Sequence, residues 1–409
     1  MEYRQQQLDN GLTVLAECND QAHFASFGLF VRTGSRDEST AWGGVSHFLE
    51  HMVFKGTERL TADEVNVLLD ELGSSSNAQT SEESTIYHAS VLPEFQSKLV
   101  EVLSELMQPA LRVDDFETEK RVIIEEIMMY QDQPPYGAQE MLMQAYFGSH
   151  ALSQSVLGSV ETVGALSPDD MRQYWRQRYV PDNMALVAAG RVDFDLLVQD
   201  AERCLGRQAQ GQAIREVHPV EPQFGSRAIC KDNSTMEYFM EIAPGPATED
   251  PDRYATRVLT TILGGDGGSR VYWEMLDSGV ADAAGIGSYE FQGAGLIMSW
   301  FSGPPESTEA NLERLRRVQQ NALRGIQERE LELAKQKIIS QILLASERTE
   351  ARMFSVGWQW LNGHPFLSPG QIADQFRRVT LADVYRVAEA YPLGRGQSLA
   401  IGPRNDVAV

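Results

Sequence analysis

His47-Phe48-Leu49-Glu50-His51 places three side chains able to bind metal or move protons within five positions. The two histidines stand at i and i+4, so on a helix both imidazoles leave the same face. Two nitrogens placed in this way can reach one Zn2+ at about 2.0–2.1 Å. Glu50 lies three residues after His47 and one before His51, beside such a metal without binding it. There it could take a proton from a water whose pKa the metal has lowered to about 7. The chain has 7 histidines among 409 residues, and a chance HxxEH match is expected about 0.01 times in a sequence of this length. The competing reading is a buried helix end carrying two hydrogen-bonded histidines.

Two histidines leave a zinc site incomplete, because a catalytic centre takes three protein ligands and keeps a fourth position open. A helix predicted over residues 114–131 offers carboxylates in Phe116-Glu-Thr-Glu119-Lys-Arg-Val-Ile-Ile-Glu125-Glu126-Ile127. Glu119 and Glu126 are two helical turns apart and share a face, whereas Glu125 is about 100° away from Glu126. Val122, Ile123 and Ile127 mark the apolar side, with Glu126 at its border. Spacing alone leaves these carboxylates open as ligands or as solvated helix surface.

The elements that must carry these residues are legible as alternating strands and helices. Asp9-Asn10-Gly11 is a hairpin turn between two short strands, and an apolar run follows at 24–31. A helix over 44–54 carries the histidines. A second, over 62–72, begins with Thr61 and Glu64 in capping-box spacing. Paired strands at 77–80 and 85–91 precede helices at 92–107 and 114–131, which end at Pro109 and at Pro134-Pro135. A helix at 168–178, a strand at 184–190 and a helix at 193–205 follow. The second half repeats this plan, with strands near 229, 236–242, 283–289 and 295–301 and helices at 251–263, 307–327 and 331–352. Ser167 to Gly190 and Thr380 to Gly402 share a helix, Tyr-containing turn, strand and glycine, a faint internal repeat. Two domains are expected, 1–210 with the metal motif and 223–409 without it, joined by a polar linker at 211–222.

Composition narrows the partners. With 35 Lys and Arg against 58 Asp and Glu, the net charge is −23. A nucleic-acid or anionic-lipid surface normally needs a basic stripe, and none is present. Three scattered cysteines lack CxxC spacing, which predicts neither a disulfide framework nor a thiolate metal site. The first fifteen residues lack the apolar core of a secretory leader, and no run of about 18 apolar residues occurs. The expected location is the cytoplasm.

His47-Phe-Leu-Glu-His51-Met-Val-Phe-Lys-Gly-Thr57 resembles the active-site stretch of the pitrilysin/insulysin family of inverted zinc metallopeptidases. It is most similar to the branch that includes mitochondrial processing peptidase and short bacterial zinc peptidases. The similarity continues through Gly73 to Tyr87, with Asn77-Ala78 and Thr80-Ser81, and through Glu119 to Glu126. It is strong over the first half and weak over the second. The resemblance implies that His47, His51 and Glu126 hold one zinc per chain and that Glu50 is the general base. Glu119 would be the further carboxylate that supports the site, hydrogen-bonding a ligating histidine. Asn77 and Ala78 would lie on a sheet edge to which an extended peptide adds a strand. The implied fold is α+β, a processing-peptidase-like duplication of antiparallel sheets packed with helices.

One departure stands out. An Arg and a Tyr that grip substrate in many active members fall here on Leu276 and Asp282, while Arg270 and Tyr272 match structural positions before them. The implied partner is a second family subunit, either another copy or a homologue supplying the Arg/Tyr pair, with the two closing a clamshell chamber around unfolded peptides or presequences. Alternatively, substrate is held differently. The glycines of Gly264 to Gly268 read as a plain turn. The expected function is zinc endopeptidase; the alternative is a noncatalytic assembly subunit that keeps the fold. The −23 charge suggests a preference for basic peptides.

Overall fold

The computed structural model describes residues 1–132 and 136–404; Pro134 and Pro135 lie outside them. Strands β1 (Glu2–Gln7), β2 (Thr13–Cys18) and β3 (Ala25–Val31) precede helices α1 (Val45–Val53) and α2 (Ala62–Glu71). Then come β4 (Ser75–Thr80), β5 (Thr85–Val91), α3 (Gln96–Leu106), α4 (Val113–Asp132) and α5 (Tyr136–Phe147). The first half ends with α6 (Val160–Ala165), α7 (Pro168–Arg178), β6 (Met184–Gly190) and α8 (Phe194–Leu205). The second half holds β7 (Gly225–Cys230), β8 (Glu237–Pro244), α9 (Asp252–Gly264), β9 (Ala283–Phe291) and β10 (Ala294–Gly303). It continues with α10 (Thr308–Gln320), α11 (Glu328–Ala345), α12 (Thr349–Leu361), α13 (Pro369–Arg378), α14 (Leu381–Ala390) and β11 (Gln397–Gly402).

Two compact α+β units result. The first comprises residues 1–128, 154–216 and 344–366; the second comprises 129–153, 217–343 and 367–409. The first is built on a sheet ordered β1-β2-β6-β3-β5-β4 and the second on β7-β11-β8-β10-β9. Each is antiparallel except for one parallel pair, β2 with β6 and β7 with β11. From β2 and β7 outward the two orders correspond strand for strand, so the repeat faintly visible in sequence is a repeated sheet. The repeated helices begin alike: the side chains of Ser167 and Thr380 each accept the N3 amide and bond the N3 aspartate in a capping box.

Strand alternation divides each sheet between two cores. In the first unit Val14, Phe27, Leu29, Tyr87 and Leu186 point into a large core with α1, α3, α4, α7 and α8. The alternate residues Leu15, Phe30, Ile86, Ala185 and Val187 are covered by Met353, Val356 and Leu361 of α12. Conversely, the back of the second sheet, with Ile242, Leu296 and Leu399, is covered by α5. Each sheet is therefore backed by a helix encoded in the other half of the chain, an exchange that the contiguous division 1–210 and 223–409 does not contain.

The continuous helix expected over 331–352 is two helices. Arg348 is extended (φ −100°, ψ 128°) and separates α11 from α12, which belong to different units. Apolar periodicity runs across the break and so does not reveal it. Helix α12 lies close on the sheet: a Cβ on Gly357 would run into the ring of Phe30, and buried Arg352 pairs with buried Glu17. Gly357→Val should overpack this contact and cost about 1–3 kcal/mol. Urea unfolding measures it, and an unchanged midpoint would rule the contact out.

Candidate metal centre

Helix α1 is fixed at its first turn. Gly44 is left-handed (φ 91°), and a Cβ there would approach the Leu157 carbonyl oxygen to 2.6 Å. Buried Glu38 accepts the amides of Gly44 at 2.8 Å and Ser46 at 2.7 Å, taking up donors that a helix start leaves unpaired. Phe48, Leu49, Met52 and Val53 then enter the core, and the ring of Phe48 stacks on Phe116 of α4 at 4.5 Å. Phe116, Ile123 and Ile127 bury one stripe of α4. Glu119 and Glu126, each three residues after a buried member of that stripe, lie on its margin facing α1.

His47, His51 and Glu126 come together with one potential ligand atom each, all within 4.8 Å of one another. Glu126 Oε2 is 4.0 Å from His47 Nε2 and 3.9 Å from His51 Nε2. A tetrahedral zinc with bonds of 2.0–2.1 Å has ligand–ligand edges of about 3.4 Å, so small side-chain adjustments close the triangle. The donor set of two imidazoles and one carboxylate suits zinc. Glu119 lies behind His51: its Oε1 is 2.9 Å from His51 Nδ1 and its Oε2 is 2.6 Å from Lys55 Nζ. The bonds to His51 and Lys55 hold Glu119 below its usual pKa despite partial burial. As a carboxylate it has no proton to give, so His51 donates from Nδ1 and turns the Nε2 lone pair toward the cluster.

Glu50 stays outside this triangle. Its Oε2 accepts from Thr80 Oγ1 at 2.6 Å, at the end of β4. Burial raises its pKa, and the Thr80 bond works against that rise. His47 is pushed down to about 4, chiefly by burial and also by neighbouring His51, so it is neutral at pH 7. Its buried Nδ1 has no hydrogen-bond partner among the described residues. His51 goes up: burial opposes its charge, but Glu119, Glu50 and Glu126 outweigh that.

Strand β4 is the outer strand of its sheet, bonded to β5 on one side. Asn77 and Ala78 lie on it, with Ala78 N–H donating to the Asn77 side chain at 2.9 Å. Lys55 and Glu38 were given no role from the sequence, and Thr80 was named there only as part of the matching strand pair. Lys55 follows His51 by one helical turn, and Thr80 alternates with Ala78 on the strand, so both carried a spacing signal; Glu38 carried none. Arg270 belongs to the second unit. It makes a two-pronged pair with Glu330 at 2.8 and 3.0 Å and donates to the carbonyls of Asn321 and Gly325, as a structural arginine would.

Comparison with known proteins identifies the family. Residues 13–160, which contain His47, Glu50, His51, Glu119 and Glu126, match the family described as insulinase (peptidase family M16). Residues 165–338 match the peptidase M16 inactive domain. A protein named an uncharacterized zinc protease from Streptomyces coelicolor is 30% identical over 98% of this chain and 90% of its own. Another of that name from Bacillus subtilis is 30% identical over 84% of each. A crystal structure of a protease from Helicobacter pylori superposes with a TM-score of 0.92 at 20% identity, covering 98% of this chain and 99% of that one. The M16 inactive domain structure from Pseudomonas fluorescens gives 0.89 at 17% identity, covering 99% and 98%. The two structures bear on the fold alone. The chain belongs to the M16 (insulinase) family, the pitrilysin/insulysin family that its motif resembles.

Two predictions follow from the geometry. Glu119→Gln should weaken zinc binding about 10–100-fold, read by competition against a chromogenic chelator; unchanged affinity would remove Glu119 from the site. In the metal-free protein, unfolded His47 takes a proton near 6.5 while the folded residue does so only near 4. Between those values the unfolded chain binds more protons, so this contribution is present above 6.5 and drains as pH falls. Metal-free wild type should lose about 2 kcal/mol more than His47→Gln between pH 7 and 5. Equal losses in urea unfolding would contradict the burial of a neutral His47.

Proposed function

We propose that this protein is a zinc-dependent endopeptidase that cleaves unfolded peptides or presequences. The observation that carries the reading is the convergence of His47, His51 and Glu126, with Glu50 beside them but separately hydrogen-bonded. In this reading those three residues hold one zinc. When bound, zinc supplies Lewis acidity toward the peptide carbonyl and lowers the pKa of water. Glu50 takes a proton from the attacking water and passes it to the leaving amine nitrogen, so that the C–N bond breaks as the new C–O bond is kept. Glu119 holds His51 in its ligating tautomer and helps the cluster keep its shape. The open edge of β4 at Asn77 and Ala78 binds the substrate backbone as an added strand, giving affinity with little side-chain selectivity.

The catalytic role belongs to the 1–210 stretch. A second family subunit completes the peptide chamber, as a copy of this chain or as a homologue; the Arg/Tyr grip, which falls here on Leu276 and Asp282, would come from a homologue. Among the described residues no helix is long and apolar enough to cross a membrane, and the proposed location is the cytoplasm. The net charge of −23 favours cationic peptides; equal rates on matched basic and acidic peptides at low salt would count against that preference.

The deciding experiment is hydrolysis of quenched fluorescent peptides by the zinc-loaded chain, alone and with a co-expressed homologue. Glu50→Gln should bind zinc normally and lose turnover by at least about 100-fold. Turnover by that variant at the wild-type rate would sink the base assignment. Stoichiometric zinc with no hydrolysis in either format would favour the noncatalytic reading.

A further inference from the structure

The polar linker is clamped at Arg215. Arg215 donates from Nε to Asp37 Oδ1 at 2.9 Å and from Nη2 to Asp37 Oδ2 at 2.6 Å. The same Nη2 donates to the backbone oxygen of Glu83 at 2.6 Å. Next to it, Arg178 donates from Nη1 to the Ile214 carbonyl at 3.1 Å, and its Nη2 forms an ion pair with Asp37 Oδ1 at 2.9 Å. The side chains of Asp37, Arg178 and Arg215 are only 2%, 9% and 10% exposed. A planar two-pronged contact in so dry a place fixes geometry as well as charge.

Both segments that Arg215 grips lead to α1. Asp37 adjoins Glu38, whose side-chain oxygens hold the first turn of that helix. Glu83 lies in the tight turn 81–84 that follows β4. That turn is tied to residues 35–36 by Ser35 N–H to Ser81 O at 3.2 Å, Arg36 N–H to Glu82 O at 2.9 Å and Arg36 Nη1 to Glu83 Oε1 at 2.6 Å. Gly34 permits the close approach, since a Cβ there would collide with the Ser81 and Glu82 backbone. The turn begins directly after Thr80, the residue that donates to Glu50 Oε2.

We propose that Arg215 is a positioning residue for peptide hydrolysis: by clamping the linker to Asp37 and to the 81–84 turn, it holds Thr80, and through Thr80 the carboxylate of Glu50, in one orientation. The aim of Glu50 then depends on the docking of a linker more than 160 positions away in sequence. This inference rests on the role proposed above for Glu50. An ion cluster that served stability alone would change the unfolding midpoint and leave kcat per folded, zinc-loaded molecule untouched.

The test uses the full chain with Thr80→Val, Thr80→Ser, Arg215→Lys and the double variant Thr80→Val/Arg215→Lys. Zinc content, unfolding midpoint, kcat and KM are measured for each, with turnover in whichever subunit format is active. Thr80→Val should lower kcat about tenfold or more, with KM within about twofold and zinc content unchanged; Thr80→Ser should restore most of it. Arg215→Lys should reproduce the kcat loss, and the double variant should be no worse than the poorer single, because both break one chain of contacts. Amide exchange on the metal-free protein gives a readout independent of turnover: Arg215→Lys should speed exchange in 81–84 and leave β3 protected. Wild-type kcat in Arg215→Lys, additive losses in the double variant, or unaltered exchange at 81–84 would each overturn the inference. If the wild type hydrolyses nothing, the peptidase reading fails, and the exchange result alone decides whether Arg215 holds the turn. If Arg215→Lys does not fold, Arg215→Met takes its place in every arm.

Discussion

The metal centre depends on how one short helix is started. Nine residues of α1 must present His47 and His51 in the same phase toward α4, and a helix this short has little stability of its own. Its register is fixed by Glu38, which accepts two first-turn amides from a buried position. Burial pushes the Glu38 pKa up to about 8, while its bonds to Ser46 and Gly44 pull the other way. Around it, the Tyr174 hydroxyl lies 2.6 Å from both Ser46 Oγ and Thr33 Oγ1. With the start fixed, the spacing of the two histidines does the rest: four residues place both rings on one side, 4.6 Å apart between centroids.

Much of this was legible because it depends on local periodicity. The i,i+4 histidines and the seven-residue interval between Glu119 and Glu126 are statements about helical phase, and phase is written in sequence. So was the capping box at Thr61; those at Ser167 and Thr380 are just as local but were read there only as part of the repeat. What escaped was nonlocal. Which sheet a helix covers depends on contacts that periodicity does not encode, so the break at Arg348 and the destination of α12 were invisible. Helix α5 was missed where the sequence is broken by Pro134 and Pro135. Helix α13 was missed although Ser368-Pro369 and Gln371 spell a capping box with proline at the first helical position. Glu38 was missed for a different reason: its partners lie six and eight residues away across an irregular turn, a spacing with no helical or strand period.

The repeated sheet shows what a duplication keeps. Strand order and the parallel pair survive in both units, since they determine which faces are buried. The chemistry does not. Among the described residues the His47, His51 and Glu126 cluster is the one group with metal-binding geometry, and it belongs to the first unit. Fold is retained by many interchangeable apolar contacts, whereas a metal centre needs particular atoms at particular distances, so the second is lost more readily than the first.

The exchange of α5 and α12 bears on how the chain is made. When β6 has left the ribosome, all six strands of the first sheet exist, but Leu15, Phe30, Ile86 and Val187 still lack the helix that shields them. They wait until residue 361 has been synthesised. A nascent first half is thus a sheet with one greasy side open to water, prone to mispairing or to capture by holding factors. Histidines and carboxylates sufficient for metal can already be present at that stage on an unfinished scaffold. Completion of the late helix thereby couples maturation of the first-encoded sheet to synthesis of α12, more than 150 residues after its last strand.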